Sequence, residues 1–167
     1  MTAIHPDLFL FQKMAYEPSG LTLSHFIPES ESQEYEASTF EMNQRCVQFR
    51  RGKITPTKSG QFVTFWKRLG RGPIMPFDEE DPFDLFVVNV RQGAQLGQFV
   101  FPKSILVEKG IISKLGKGGK RAMRIYPSWC IPDNPQAQKT QAWQLLYFFE
   151  LPLTQEIDYA KIRKLFL

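Results

Sequence analysis

Apolar and polar side chains alternate most strictly in two short windows. In RCVQFRR (residues 45–51), Val47 and Phe49 are separated by Gln48 and flanked by Arg50, the period-2 pattern of a half-buried strand. In RAMRIYPSW (121–129), Met123 and Ile125 oppose Arg124 and Tyr126 in the same way. The run QFVTFWKR (61–68) returns after ITPTKSG, whose Pro56 and Ser59-Gly60 supply turn chemistry, so residues 44–68 are expected to fold as a β-hairpin. A second hairpin is expected from DLFVVNVRQGAQLGQFVFPK (84–103). Its apolar runs flank Gly93-Ala94, and a two-residue turn there, with Gly where a positive φ is cheap, sets Asp84 opposite Lys103.

Helical spacing marks fewer segments. Leu8, Phe11 and Ala15 recur at helical intervals in HPDLFLFQKMAY (5–16), with Pro6-Asp7 at its start. SILVEKGII (104–112) reads as a short helix capped by Ser104 and stopped at Gly110. DNPQAQKTQAWQLLYFFEL (133–151) reads as a helix entering the core end-on, with a strand over WQLLYFF as the rival, and DYAKIRKLFL (158–167) as a last short helix. Residues 17–38 are expected to be a loop with one short turn, and 69–83 and 113–120 surface loops. The sum is an α/β chain, a mixed β-sheet flanked by helices in the order α, hairpin, hairpin, α, β, α. One domain over 1–167 is expected, an acidic helix and loop (1–43) preceding the sheet core (44–167).

Composition narrows the chemistry. A chain of 167 residues, 43% apolar and holding 15 Phe, can bury a core without metal or disulfide help. Two cysteines and two histidines exclude a disulfide framework and argue against zinc catalysis. His5 and His25 accompany no nucleophile elbow, and KLGKGGKR lacks the spacing of a nucleotide-triphosphate loop. No segment is long enough to span a membrane and the N-terminus lacks export features, so a cytoplasmic protein is expected.

The net charge of +4 is unevenly spread. Residues 45–72 carry eight bases and no acid, and residues 91–124 carry eight bases against Glu108 alone; acidic blocks precede each. Two such basic blocks, brought together, suit a polyanion. Arg50, Arg51, Lys53, Lys67, Arg68, Lys117, Lys120, Arg121 and Arg124 are the expected phosphate contacts, with DNA favoured over RNA as the partner. About six such contacts would give a log–log salt slope near −5 on duplex DNA. Neutralisation of the ribbon by the acidic loop FDEEDPFD (77–84) is the competing expectation.

An acid opening one strand and a lysine closing the next resembles the PD-(D/E)xK arrangement of restriction endonucleases. That resemblance implies Asp84 as a Mg²⁺ ligand, Lys103 as the group steadying the attacked phosphate, and Glu36 as an acid from the N-terminal segment. The second acid of that pattern, two positions before the lysine, is Phe101 here. More specifically, the runs EYEASTF, RRGKITPTKSGQFVTFWKR, GQFVFPKSILVEKGIIS, GKRAMRIYPSW and QAQKTQAWQ resemble the MepB family of small bacterial proteins. The resemblance implies a restriction-endonuclease-like fold and nucleic-acid binding. Three functions stay open: a nucleic-acid-binding protein with a degenerate site, an active Mg²⁺-dependent nuclease, and a regulatory protein-interaction module. Oligomeric state is not legible.

Overall fold

The computed structural model describes residues 4–152 and 156–167. The chain opens with α1 (Pro6–Phe11), which widens into a π-turn over Gln12–Tyr16 and buries Leu8, Phe11 and Ala15 as their spacing predicts. Strands β1 (Leu23–Pro28), β2 (Ser38–Met42) and β3 (Arg45–Arg51) follow, then β4 (Lys53–Ile54), β5 (Gln61–Thr64), β6 (Trp66–Arg68) and β7 (Ile74–Pro76). The long hairpin is β8 (Leu85–Gln92) and β9 (Gln95–Pro102), and α2 (Lys103–Glu108) leaves it directly. Then come β10 (Ala122–Ile125), α3 (Pro135–Gln144), β11 (Phe148–Glu150) and α4 (Tyr159–Phe166). Among the described residues no helix is long and apolar enough to cross a membrane.

Six strands form the main sheet in the order β1-β2-β3-β8-β9-β11, and β3–β8 is its parallel pair. A mixed sheet flanked by helices is thus the α/β class expected. On one face α1, the π-turn and α4 cover Phe40, Phe49, Val87 and Val100 with Leu8, Phe11, Tyr16, Ile162 and Phe166. On the other, a three-stranded sheet, β10-β5-β4, lies with α2 over Phe86, Val88, Val90, Phe99 and Phe101. The centre of the β8–β9 hairpin is therefore buried on both sides, which explains its unbroken apolar runs. Two polar residues lie inside it: Tyr16 donates to Gln98 (2.7 Å), whose amide donates to Asn89 (2.6 Å). Each satisfies the next, as burial requires.

Several expectations need correction. Residues 17–38 are not all loop, for β1 lies within them; its register slips between Ser24 and Ile27, where His25 takes φ 54°, and that irregularity erases the period-2 signal. Residues 44–68 do not form one hairpin. β3 pairs with β2 and β8, and only Lys53 and Ile54 pair back onto β5, in the second sheet. The 69–83 loop contains β7, which pairs with β6. Ser104 does not cap α2, whose N-cap is Pro102. The 133–151 segment is neither one helix nor one strand: α3, capped by Asn134, ends at Gln144, and Phe148–Glu150 pairs with β9.

Candidate nucleic-acid interface

The β8–β9 register is the expected one: Leu85 pairs with Pro102, and Gln92 with Gln95, around Gly93 at φ 62°. Asp84 and Lys103 accordingly face each other, and the Lys103 N–H donates to the Asp84 carbonyl at 3.0 Å. Their charges do not meet. Asp84 Oδ2 accepts from the Cys46 N–H at 2.8 Å, tying β8 to β3. Lys103 Nζ turns to the carbonyls of Glu79 (3.0 Å) and Asp81, and sits 4.8 Å from the Phe83 ring centroid. The ammonium thus closes the acidic loop by donating to its main chain.

The donor set does not fit Mg²⁺. Mg²⁺ takes six oxygens, usually one or two free carboxylates completed by waters and substrate phosphate, and here the Asp84 carboxylate is already engaged by the Cys46 N–H. Phe101, at the position where the expected pattern would carry its second acid, is fully buried and packs on Phe99, Trp143 and Tyr147. Glu36 lines a separate cavity with Phe26, Glu29 and Gln33, which Asp84 does not line. It stands at the left-handed position closing the turn Gln33–Tyr35, ahead of β2. The acid that the β2–β3 register sets beside Cys46, and so nearest Asp84 in the sheet, is Glu41, paired with His25 at 2.9 Å. Among the described residues no three His, Cys, Asp or Glu side chains gather as metal ligands.

The basic blocks divide into two groups. The first is neutralised within the chain. Arg50 is 1% exposed, with Glu29 at 3.3 Å and the Phe49 carbonyl at 2.8 Å. Burial pulls its guanidinium below the ordinary value, and Glu29 works against that. Arg51 lies 4.0 Å from Asp7, Lys67 2.6 Å from Asp81, and Arg68 3.0 Å from Glu31. Neutralisation by the acidic loop is realised at Lys67. Arg50, Arg51, Lys53, Lys67 and Arg68 do not crowd one ribbon, because β3, β4 and β6 belong to three different sheets.

The second group gathers at a cleft of about 430 Å³ between β10, α3 and the segments after α2. Lys120 and Arg124, both expected phosphate contacts, line it with Lys109 and Lys139, and no acidic residue does. Arg124 is held in place by the Ser59 carbonyl (3.0 Å) and Thr55 Oγ1 (2.6 Å). Trp143 and Tyr126 supply aromatic wall. Lys117 and Arg121 are exposed in the adjoining sequence and do not line the cleft, and Lys53 lies 5.2 Å from the Tyr35 ring centroid. Lys109 and Lys139 escaped the sequence reading as contacts, and Trp143, expected in the core, packs against it and also lines the cleft. Gln136, Lys139, Thr140 and Trp143 recur at i, i+3, i+4 and i+7, one helix face, and that spacing was the available signal.

Among solved structures, one described as MepB is 33% identical with a TM-score of 0.77, and the match covers 92% of this chain and 100% of that one. A bacterial homing endonuclease matches at 14% identity and a TM-score of 0.44 over 84% of this chain and 87% of its own, a likeness too slight to carry fold or activity. No curated protein matches. The family model described as MepB-like matches residues 29–150, which hold strands β2 to β11, the core beneath the second sheet and the cationic cleft, and the chain belongs to the MepB-like family.

Proposed function

We propose that this chain is a nucleic-acid-binding protein whose nuclease-type position is catalytically silent. The observation that carries the reading is the cleft where Lys109, Lys120, Arg124 and Lys139 converge without an acid. A concave wall lined by cationic residues and no acid suits an anion, and a phosphodiester backbone delivers anions at regular spacing. Lys109, Lys120 and Lys139 are the exposed cations of that lining, while the Arg124 guanidinium is anchored by Ser59 and Thr55 beside it. The silence of the Asp84–Lys103 position is supported by the side chains themselves. The carboxylate is engaged by Cys46, the ammonium by two carbonyls, and the second acid's place is filled by a core phenylalanine.

Fluorescence anisotropy with a labelled 20-mer, in EDTA and at several salt concentrations, tests the reading. Salt-sensitive binding is expected, and Lys139→Glu should weaken it at least tenfold at low salt with no change in the thermal midpoint, since Lys139 is exposed. Repeating the titration with Mg²⁺ should leave the strand intact on a gel. A cut strand, abolished by Asp84→Ala, would restore the nuclease reading. Absence of binding at low salt would turn the search to protein partners.

A further inference from the structure

The division of the cations bears on which nucleic acid the cleft takes. A duplex presents its phosphates on a convex cylinder, and a protein reads it across a long face with many contacts. Arg50, Lys67 and Arg68, which would have extended such a face, are paired with Glu29, Asp81 and Glu31, and Arg51 lies 4.0 Å from an Asp7 that Arg91 already holds. What remains at the cleft is compact. Its volume of about 430 Å³ lies in the range of pockets that enclose a small molecule. A nucleotide with its base turned outward can enter such a space, whereas a paired base is held inside the duplex.

The wall chemistry points the same way. Trp143 is half-buried, its indole backed by Phe101 at 5.6 Å between centroids, with the Lys109 ammonium 5.7 Å from its own centroid. An aromatic ring packed on the core with a cation beside it combines the two groups by which single-stranded sites hold bases and backbone. Gln136 stands exposed on the same wall with both a donor and an acceptor for a base edge. We infer that the cleft binds unpaired nucleotides, so that the protein prefers single-stranded over duplex nucleic acid. The inference rests on the nucleic-acid reading of the same cleft.

The test compares a labelled single-stranded 12-mer with the same sequence as a duplex, by anisotropy across a salt series in EDTA. The single strand is expected to bind at least tenfold more tightly. Its log–log salt slope should be about −3, the value for four neutralised phosphates on a single strand. Because Trp143 also packs on the core, two variants separate stacking from bulk. Trp143→Phe should stay within about threefold of the parent, and Trp143→Leu should lose about tenfold for the single strand, both at an unchanged far-ultraviolet spectrum. Duplex binding as tight or tighter, with a slope near −5, would overturn the inference and leave the nucleic-acid reading standing. Equal single-strand affinity for the Phe and Leu variants would remove the stacking role and overturn it too. Failure of both oligonucleotides to bind at low salt would overturn the inference and the broader reading together.

Discussion

Arg50 sits at a position that, by charge alone, belongs to a phosphate-binding ribbon, yet its guanidinium is among the most buried groups of the chain. The strand period explains the turn inward. Arg50 shares a face of β3 with Cys46 and Gln48, and that face lies on the side covered by the second sheet. A guanidinium so buried depends on its partner, and Glu29 is the carboxylate that reaches it. Removing one member of a buried pair strands the other charge, so Glu29→Ala is expected to cost about 3 kcal/mol, read as a lower urea midpoint at unchanged slope. An unchanged midpoint would mean that water already solvates Arg50. Asp84 and Lys103 show the complementary case. Both are charged residues whose side chains work on the main chain, one across β3 and the other across the acidic loop.

At the scale of elements, the β8–β9 hairpin organises the molecule, since strands pair on both its flanks and cores lie on both its faces. Its edge with β11 is set by Gly97. A Cβ there would run into the Phe148 ring and lie 3.2 Å from the Phe149 carbonyl. Gly97→Ala should therefore push β11 outward and destabilise the fold by about 1–3 kcal/mol, measured by chemical denaturation. Gly93→Ala makes a useful contrast, because nothing crowds that position and the strain comes from its φ of 62° alone. The same hairpin accounts for the mixed outcome at 133–151. β9 had an open edge, and the aromatic end of the segment pairs with it where the polar front half had formed α3.

At the scale of the whole molecule, charge contacts tie the termini of distant elements together. Asp7 on α1 accepts from Arg91 at the end of β8 (2.7 Å) and approaches Arg51 at the end of β3. Burial works to raise the Asp7 carboxyl. The Arg91 guanidinium bonded to it, with the charges of Arg91, His5 and Arg51, outweighs that and holds it below the usual carboxylate range. A carboxyl with a depressed folded value stabilises the fold fully above its unfolded value, near 3.9, and loses that contribution as pH falls through the folded value. Denaturation midpoints should therefore fall more steeply below about pH 4 in the parent than in Arg91→Leu, while the variant is already weakened at pH 7. Parallel acid limbs in the two proteins would remove Asp7 from the account.

Sequence alone was enough for the register of the 84–103 hairpin, since setting Asp84 opposite Lys103 leaves a two-residue turn at Gly93-Ala94, although the two side chains turn to other partners. It also determined α1, α4 and the strand at 122–125, where short-range periodicity is complete. The substitution of Phe101 for an acid was equally legible, since it needs only a count from Lys103. Tertiary structure decided the rest. Which cations stay available depends on which carboxylates fold back onto them, and Glu29, Glu31 and Asp81 reach their partners from other segments of the chain. Which strands share a sheet depends on non-local pairing that no window of residues encodes, so β3 left its expected partner for β8. The cationic cleft exists because β10, α3 and the residues after α2 converge in space; Lys109, Lys120 and Arg124 share the 91–124 basic block, and only the fold brings Lys139 and Trp143 of α3 to them.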